Sequence, residues 1–471
     1  MAVISGLMLT ASFPSINMPF LAFICWIPCL FALRQSTFLF CTILCMITGL
    51  THEFTLLYWI VPTLVTHAKF SIMYATFICM VIACIRCCWF VTFGSIIYFF
   101  VKKPWHLFVL PFIWVGLELS KNWGSLGFPW ALLGYSQWQW IGLIQIADIF
   151  GVYGVSGLIM LINVCIFLVV LHVCESQWKF HSISNYLMFS GLGIGTLSII
   201  LSLTYGVIRI NEIDSKIKTS PHQKIMIVQP NIPQHEKWDG NNRAPITKKM
   251  IQMTFAGMEQ GVDLVIWPET ALPYAFHSKH QLRQYVLDSI KQMQVGLVMG
   301  SPSFVSQDGQ LKHYNSAYII NKQGEIQSRY NKARLVPFSE YMPYPLLSDL
   351  WKLLGAPDEK FVPGRVEVHD IHGVSLGIQI CYEIIFPAYA RTMTHNGANV
   401  LINMSNDAWF GRTACPEQLF SMAVFRAVEN KRPLVRAANT GISGMIDPCG
   451  RVVSATRIFE TNTMICEVPV F

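Results

Sequence analysis

The hydrophobic and polar positions divide the chain in two. From Met1 to about Arg209, long apolar runs follow one another with short polar breaks, and acidic and basic side chains are sparse; from Asn211 onward Asp, Glu, Lys and Arg return at ordinary density. The apolar runs near 3–16, 18–33, 38–62, 72–100, 105–120, 140–173 and 187–208 predict about seven membrane spans, since roughly 20 apolar residues in helix cross the ~30 Å hydrocarbon layer. The first two are short, which predicts a tilt or a hairpin that enters as a pair. Residues 1–210 are therefore read as a transmembrane helical bundle, 211–223 as a polar linker, and 224–471 as one globular domain large enough to bury a full core.

The globular half has a different rhythm. KIMIVQPNIPQ (224–234) reads as a strand ending in a Pro-bounded turn, about 244–260 as a helix, and DLVIWPET (263–270) as a short buried strand with Glu269 just past its end. A helix near 280–293, the strand VGLVMG (295–300) and a strand pair near 313–330 follow. Val374, Leu376, Ile378 and Ile380 alternate like a strand that stops at Cys381, then come a helix near 387–396, the strand ANVLINM (398–404), a helix near 416–430 and short strands after Pro433. Alternating strands and helices predict an α/β domain, and such folds place their sites just after strand ends.

Composition supports the division. Charged residues make up only 13% of the chain, about half the ~25% usual in soluble domains. The net charge of +7 comes without a basic run, which argues against nucleic-acid binding. Ten of the fourteen cysteines lie in the apolar half and read as small hydrophobes. The others, Cys381, Cys415, Cys449 and Cys466, form no CxxC pair, so neither a zinc site nor a disulfide framework is indicated.

The N-terminal MAVISGLMLTASFP lacks a basic n-region and a small-residue cleavage site, so no removable signal peptide is expected. With a cytoplasmic N-terminus, Arg34, Lys102, Lys103 and Lys179 fall inside against Lys69 and Lys121 outside, and an odd number of crossings puts the globular half outside the cytoplasm. Glu53 and Arg86 are costly in lipid and are expected to face the bundle interior or a water-filled cavity. The loop NWGSLGFPWALLGYSQW (122–138), next to Glu118 and Lys121, reads either as an aromatic interfacial anchor or as the wall of a lipid entrance.

Three residues after strand ends make a chemical set: Glu269, Lys332 in YNKARLVPFSEYMP, and Cys381 in LGIQICYE. Taken singly, a free Cys is most often core and a loop Glu or Lys most often a solvated charge. Together they supply a nucleophilic thiol, a base to activate it and a cation for the oxyanion formed by its attack.

WPE, YxKxxLVPFxEYxP and ICYE in this order resemble the nitrilase superfamily with its Glu-Lys-Cys triad. The apolar N-terminal half and SNDAWFG (405–411) narrow the resemblance to the apolipoprotein N-acyltransferases of the bacterial inner membrane. The resemblance implies a four-layer α-β-β-α nitrilase-like domain on the periplasmic side of a transmembrane bundle. It implies Glu269 as general base, Lys332 as oxyanion stabiliser and Cys381 as acyl-accepting nucleophile. It further implies Glu340 as a second, supporting glutamate, Tyr382 and Glu383 as residues supporting the nucleophile, and Trp238, Asn315 and Trp409 as substrate-binding residues.

The implied activity moves an acyl chain from the sn-1 position of a phospholipid such as phosphatidylethanolamine, through a cysteine thioester, to the α-amine of a diacylglyceryl-cysteine at an apolipoprotein's N-terminus. A monomer without metal or organic cofactor suffices. A membrane-tethered hydrolase of nitriles or amides, or a silent lipoprotein-binding scaffold, would carry many of the same motifs. Two departures stand out: RTACPEQLF (412–420) has Cys415 and Leu419 where the family has Gly and His, and the strand-like MICEVPVF leads directly to Phe471 where the family has a further span.

Overall fold

The computed structural model describes residues 1–278, 281–307, 310–344 and 361–471. They form two compact units, Met1–Asn211 with Thr413–Ser421, and Glu212–Arg412 with Met422–Phe471.

The first unit is helical. Four helices, Phe38–Leu56, Ile72–Phe100, Ala147–Val173 and Asn185–Thr219, are long and apolar enough to cross a membrane. The other apolar runs are also helical, at Ala2–Ala11, Pro19–Leu33 and Pro104–Ser120, but shorter. Each of the seven runs expected to span thus contains an apolar helix, four of them long enough to cross by length and composition alone. Proline helps set the shorter lengths: Pro14 lies between the first two helices, Pro19 opens the second, and Pro62 falls in the separate short helix Ile60–His67.

Of the ten cysteines in the apolar half, seven are buried and pack as small side chains, while Cys84, Cys88 and Cys174 are exposed. A Cβ on Gly94 would lie 2.9 Å from both the Cys41 carbonyl and the Cys45 sulfur, so two helices meet almost backbone to backbone. Glu53 and Arg86 face inward and pair at 2.6 Å, while Arg86 also donates to the carbonyls of Phe128 and Trp130. The expected linker is no loop. The helix begun at Asn185 runs on to Thr219 because neither Pro nor Gly falls between Asn211 and Pro221.

The second unit contains two six-stranded sheets. The strands are β1 (His222–Gln229), β2 (Leu264–Ile266), β3 (Gly296–Gln307), β4 (Gln310–Ile320), β5 (Ile326–Asn331), β6 (Val368–Ile371), β7 (Val374–Ile380), β8 (Val400–Ser405), β9 (Leu434–Ala438), β10 (Gly444–Ile446), β11 (Val452–Ala455) and β12 (Asn462–Pro469). One sheet has the order β12-β1-β2-β3-β4-β5 and the other β11-β10-β9-β8-β7-β6. Both are built alike: three parallel strands in the middle, β1-β2-β3 or β7-β8-β9, with antiparallel strands on either side.

Helices Arg243–Ala256 and Gln281–Met293 cover the first sheet, burying Met250, Val286 and Ile290 against Val265, Trp267 and Met299. Each such side chain contributes roughly 1.5–3 kcal/mol. Helix Pro387–His395 packs on β7 of the second sheet. The sheets face each other, with Gln229 of β1 accepting from Ser443 at 2.6 Å and Thr456 at 2.7 Å. This is the four-layer α-β-β-α arrangement. The alternation along 374–380 predicted a buried strand, and Gly377 and Gln379 are enclosed along with the apolar positions, because β7 lies inside these layers.

Candidate active site

The chain leaves β7 through a sharp turn. Cys381 has φ +52°, a left-handed conformation unusual for a residue with a side chain, and opens a 3-10 turn over Cys381–Ile385. It is 9% exposed. Glu383, fully buried two residues on, fastens the turn. Its Oε2 accepts from the Ile380 N–H at 2.7 Å, its Oε1 from the N–H groups of Ala333 at 2.7 Å and Arg334 at 2.9 Å, and both oxygens from the Tyr330 hydroxyl. Burial pushes the Glu383 carboxyl up to about 7, against the opposing pull of the Ile380 and Arg334 N–H groups.

The segment that Glu383 holds carries Lys332. Lys332 continues from β5, with its N–H on the Asn315 carbonyl at 2.9 Å. Its ammonium lies 2.8 Å from Glu340 Oε1 and 3.6 Å from Glu269 Oε1, and the side chain is 1% exposed. Glu340 Oε2 accepts from the Val336 N–H at 2.8 Å. Burial alone would discharge the lysine, but the Glu340 and Glu269 carboxylates outweigh it and hold the ammonium above its ordinary range.

Glu269 arrives from β2. Its Oε1 accepts from Asn315 Nδ2 at 2.8 Å and its Oε2 from the Asn406 N–H at 2.9 Å. The same Asn315 amide donates to Glu340 Oε1 at 3.1 Å, so one side chain aligns both carboxylates. The backbone at Glu269 passes so close to β3 that a Cβ on Gly300 would lie 2.5 Å from the Pro268 carbonyl and the Thr270 nitrogen. Burial, then the Glu269 carboxylate, push the Cys381 thiol well up, while Lys332 opposes them. The resting site therefore favours thiol over thiolate, and the sulfur gains nucleophilicity only if a neighbouring base takes its proton.

Glu269, Asn315, Lys332 and Glu340 thus form one hydrogen-bonded cluster, tied through Glu383 to the turn of Cys381. Trp238 and Trp409 are, by contrast, 49% and 38% exposed. It is their neighbours that turn inward. Lys237 is 1% exposed and donates to the Glu269 carbonyl at 3.2 Å, and burial depresses its ammonium to about 7. Tyr382 packs its ring against Phe386 at 5.2 Å.

Sequence reasoning passed over Lys237, Ser405, Asp407 and Arg436, all buried. Their signal was present in part: Ser405-Asn406-Asp407 follows an apolar strand end, the pattern that singled out Glu269. Cys415 and Leu419 are buried in the first unit. Between them Gln418 accepts from the Trp59 and Trp130 indoles at 3.2 and 2.8 Å, and donates to the carbonyls of Pro14 and Leu56. Among the described residues no group of three His, Cys, Asp or Glu side chains is placed to hold a metal ion.

Known proteins fit this picture. Residues 224–470 match the carbon-nitrogen hydrolase family, and residues 5–165 the apolipoprotein N-acyltransferase N-terminal domain. The apolipoprotein N-acyltransferase of Geobacter metallireducens is 33% identical over 476 residues, covering 99% of this chain and 88% of that protein. That of Rickettsia bellii is 31% identical, covering 88% of this chain and 80% of that protein. A solved amidase of the nitrilase superfamily from Nesterenkonia overlays 53% of this chain and 92% of its own, with 20% identity and a TM-score of 0.40. With a relative this similar over almost its whole length, and both halves matched, the chain belongs to the apolipoprotein N-acyltransferase family.

Proposed function

We propose that this protein transfers an acyl chain from the sn-1 position of a phospholipid, phosphatidylethanolamine in the first instance, to the α-amine of the N-terminal diacylglyceryl-cysteine of apolipoproteins, the last step of lipoprotein maturation. The observation that carries the reading is the buried cluster in which Lys332 lies 3.6 Å from Glu269, on a segment that Glu383 ties to the turn of Cys381.

In the first half-reaction Glu269 takes the Cys381 proton and the sulfur attacks the ester carbonyl. Lys332 and the Tyr382 N–H stabilise the oxyanion. The tetrahedral intermediate expels the lysophospholipid alkoxide, which recovers the proton from Glu269, and a thioester remains on Cys381. In the second half-reaction the acceptor amine attacks the thioester, Glu269 accepts the amine proton, and its transfer to the departing sulfur restores the thiol. Glu340 and Asn315 keep Glu269 and Lys332 aligned, and Trp238 and Trp409 are assigned to the acyl chain and acceptor. Both substrates are lipids, which accounts for joining this domain to apolar helices. We place the protein as a monomer in the bacterial inner membrane with the catalytic domain on the periplasmic side.

The test is the intact mass of full-length protein and Cys381→Ala after incubation with phosphatidylethanolamine, before any acceptor is added. The expected result is a gain of one acyl chain that hydroxylamine removes and the variant lacks. A diacylated lipopeptide should then discharge it faster than water does. Discharge by water alone would point to a hydrolase, and no adduct with any phospholipid would sink the proposal.

A further inference from the structure

A second buried polar array, not used so far, lies on the strand beside that of Cys381. β7 and β8 run parallel with Ile380 opposite Met404, so Cys381 and Ser405 leave the two strands side by side. The Ser405 hydroxyl donates to Asp407 Oδ1 at 2.5 Å, and the strand register sets this serine beside Cys381, whose thiol it pulls down against the larger effect of burial. Arg436 Nη2 spans both Asp407 oxygens, at 3.1 and 2.8 Å, and the arginine also donates to Asn403 Oδ1 and the Ile442 carbonyl. Asn403 Nδ2 closes the array by donating to the Gln379 carbonyl at 3.1 Å and that of Cys381 at 3.4 Å. Ser405, Asn403 and Arg436 have no exposed surface, and Asp407 is 1% exposed. The packing leaves no room for slack: a Cβ on Gly441 would lie 1.8 Å from Asp407 Oδ2.

Asp407 accepts the hydroxyl proton, and a thiolate on the adjacent strand end would offer it a second acceptor. Asp407 is neutralised by Arg436 and stays hydrogen-bonded whether or not Ser405 donates to it. Beside a thiol, Ser405 donates to Asp407; beside a thiolate, rotation about its C–O bond turns the same proton to the sulfur. No proton leaves Ser405, because the Cys381 proton still goes to Glu269. We propose that Ser405 is a switchable hydrogen-bond donor to the Cys381 thiolate, with Asp407 and Arg436 as positioning residues that keep its hydroxyl within reach. The inference rests on the reading of Cys381 as nucleophile.

The experiment is alkylation of full-length protein by iodoacetamide, followed at the Cys381 peptide by mass spectrometry between about pH 6 and 9, where the rate tracks the thiolate fraction. Ser405→Ala should alkylate about tenfold more slowly at every pH in this range, the loss of one hydrogen bond to a charged group, while its melting temperature stays close to the parent's. Ser405→Gly makes the same deletion should the Ala variant not accumulate. Profiles of both variants that superimpose on the parent's would overturn the inference. Failure here is separable from failure of the acyl-transfer reading. A Ser405-dependent thiolate without any acyl adduct upholds the donor and removes the transferase, whereas a Cys381 adduct with Ser405-independent alkylation does the reverse.

Discussion

Glu383 Oε1 accepts the peptide N–H of Ala333 at 2.7 Å, so a residue two places past Cys381 holds the residue next to Lys332. The two are 50 positions apart in sequence. The same carboxylate also accepts from Ile380, Arg334 and Tyr330. One side chain therefore sets the separation between the proposed nucleophile and the cation proposed to stabilise its oxyanion.

Glu383→Gln keeps the shape but turns an amide NH2 toward N–H donors. Acyl-enzyme formation should fall about 100-fold, because a displacement of a catalytic group by about 1 Å has that effect. Melting should also drop, since buried donors lose their acceptor at about 1–3 kcal/mol each. Single-turnover mass spectrometry and thermal denaturation measure the two effects, and a variant with parental acylation would count against this coupling.

Lys332→Met leaves Glu340 and Glu269 facing each other without their cation. Breaking a buried ion pair in this way costs about 3–5 kcal/mol. The variant should form no acyl adduct and melt early. Lys332→Met with Glu340→Gln removes one orphaned charge and should regain part of the stability but none of the activity. Equal melting temperatures for the single and double variants would mean that the orphaned Glu340 charge costs the fold nothing.

Gly300→Ala adds one methyl group where the Pro268 carbonyl, the Thr270 nitrogen and the Glu269 Cα all lie within 2.7 Å. The backbone at Glu269 must yield, costing about 1–3 kcal/mol and shifting the carboxylate from its bonds to Asn315 and Asn406. Acylation should fall at least about tenfold, while Gly240→Ala, where an added Cβ meets nothing within 4 Å, should leave it unchanged. Comparison of the two acylation rates decides the matter.

Lys237 gives the fold a pH dependence. Its ammonium is depressed by burial to about 7, against an ordinary value of 10.5, with the Glu269 charge opposing. Between these values the unfolded chain binds more protons than the folded one, so stability rises with pH across the window and is lost as pH falls back through about 7. Lys237→Met should flatten that rise, which amounts to a few kcal/mol at about 1.4 kcal/mol per tenfold change in proton affinity. Melting temperatures of parent and variant at a series of pH values test this; parallel curves would exclude Lys237 as the source.

Much of the chain could be read locally. Strand and helix positions follow from side-chain periodicity, which depends only on near neighbours, and so the segments at 264–266, 374–380, 400–405 and 415–430 lie close to where their patterns put them. The membrane boundaries were less legible: apolar runs resemble one another, and length in helix, four long and three short, depends on where the backbone breaks. The polar stretch after Asn211 looked like a linker because composition does not reveal that a helix continues through it.

By itself the sequence determined that a thiol, a carboxylate and an amine would each follow a strand end, and that an apolar half would accompany them. Only the tertiary structure decided who their partners are. Asn406 reaches Glu269 across 137 residues, and Arg436 reaches Asp407 across 29. Such pairs leave no periodic trace, because a hydrogen bond between distant residues depends on how sheets stack and strands register, and any polar residue at a strand end looks equally eligible beforehand. The left-handed turn at Cys381 and the glycine-thin crossing at Gly300 are of the same kind. Both answer to atoms that packing brings close, which nothing in the neighbouring residues specifies.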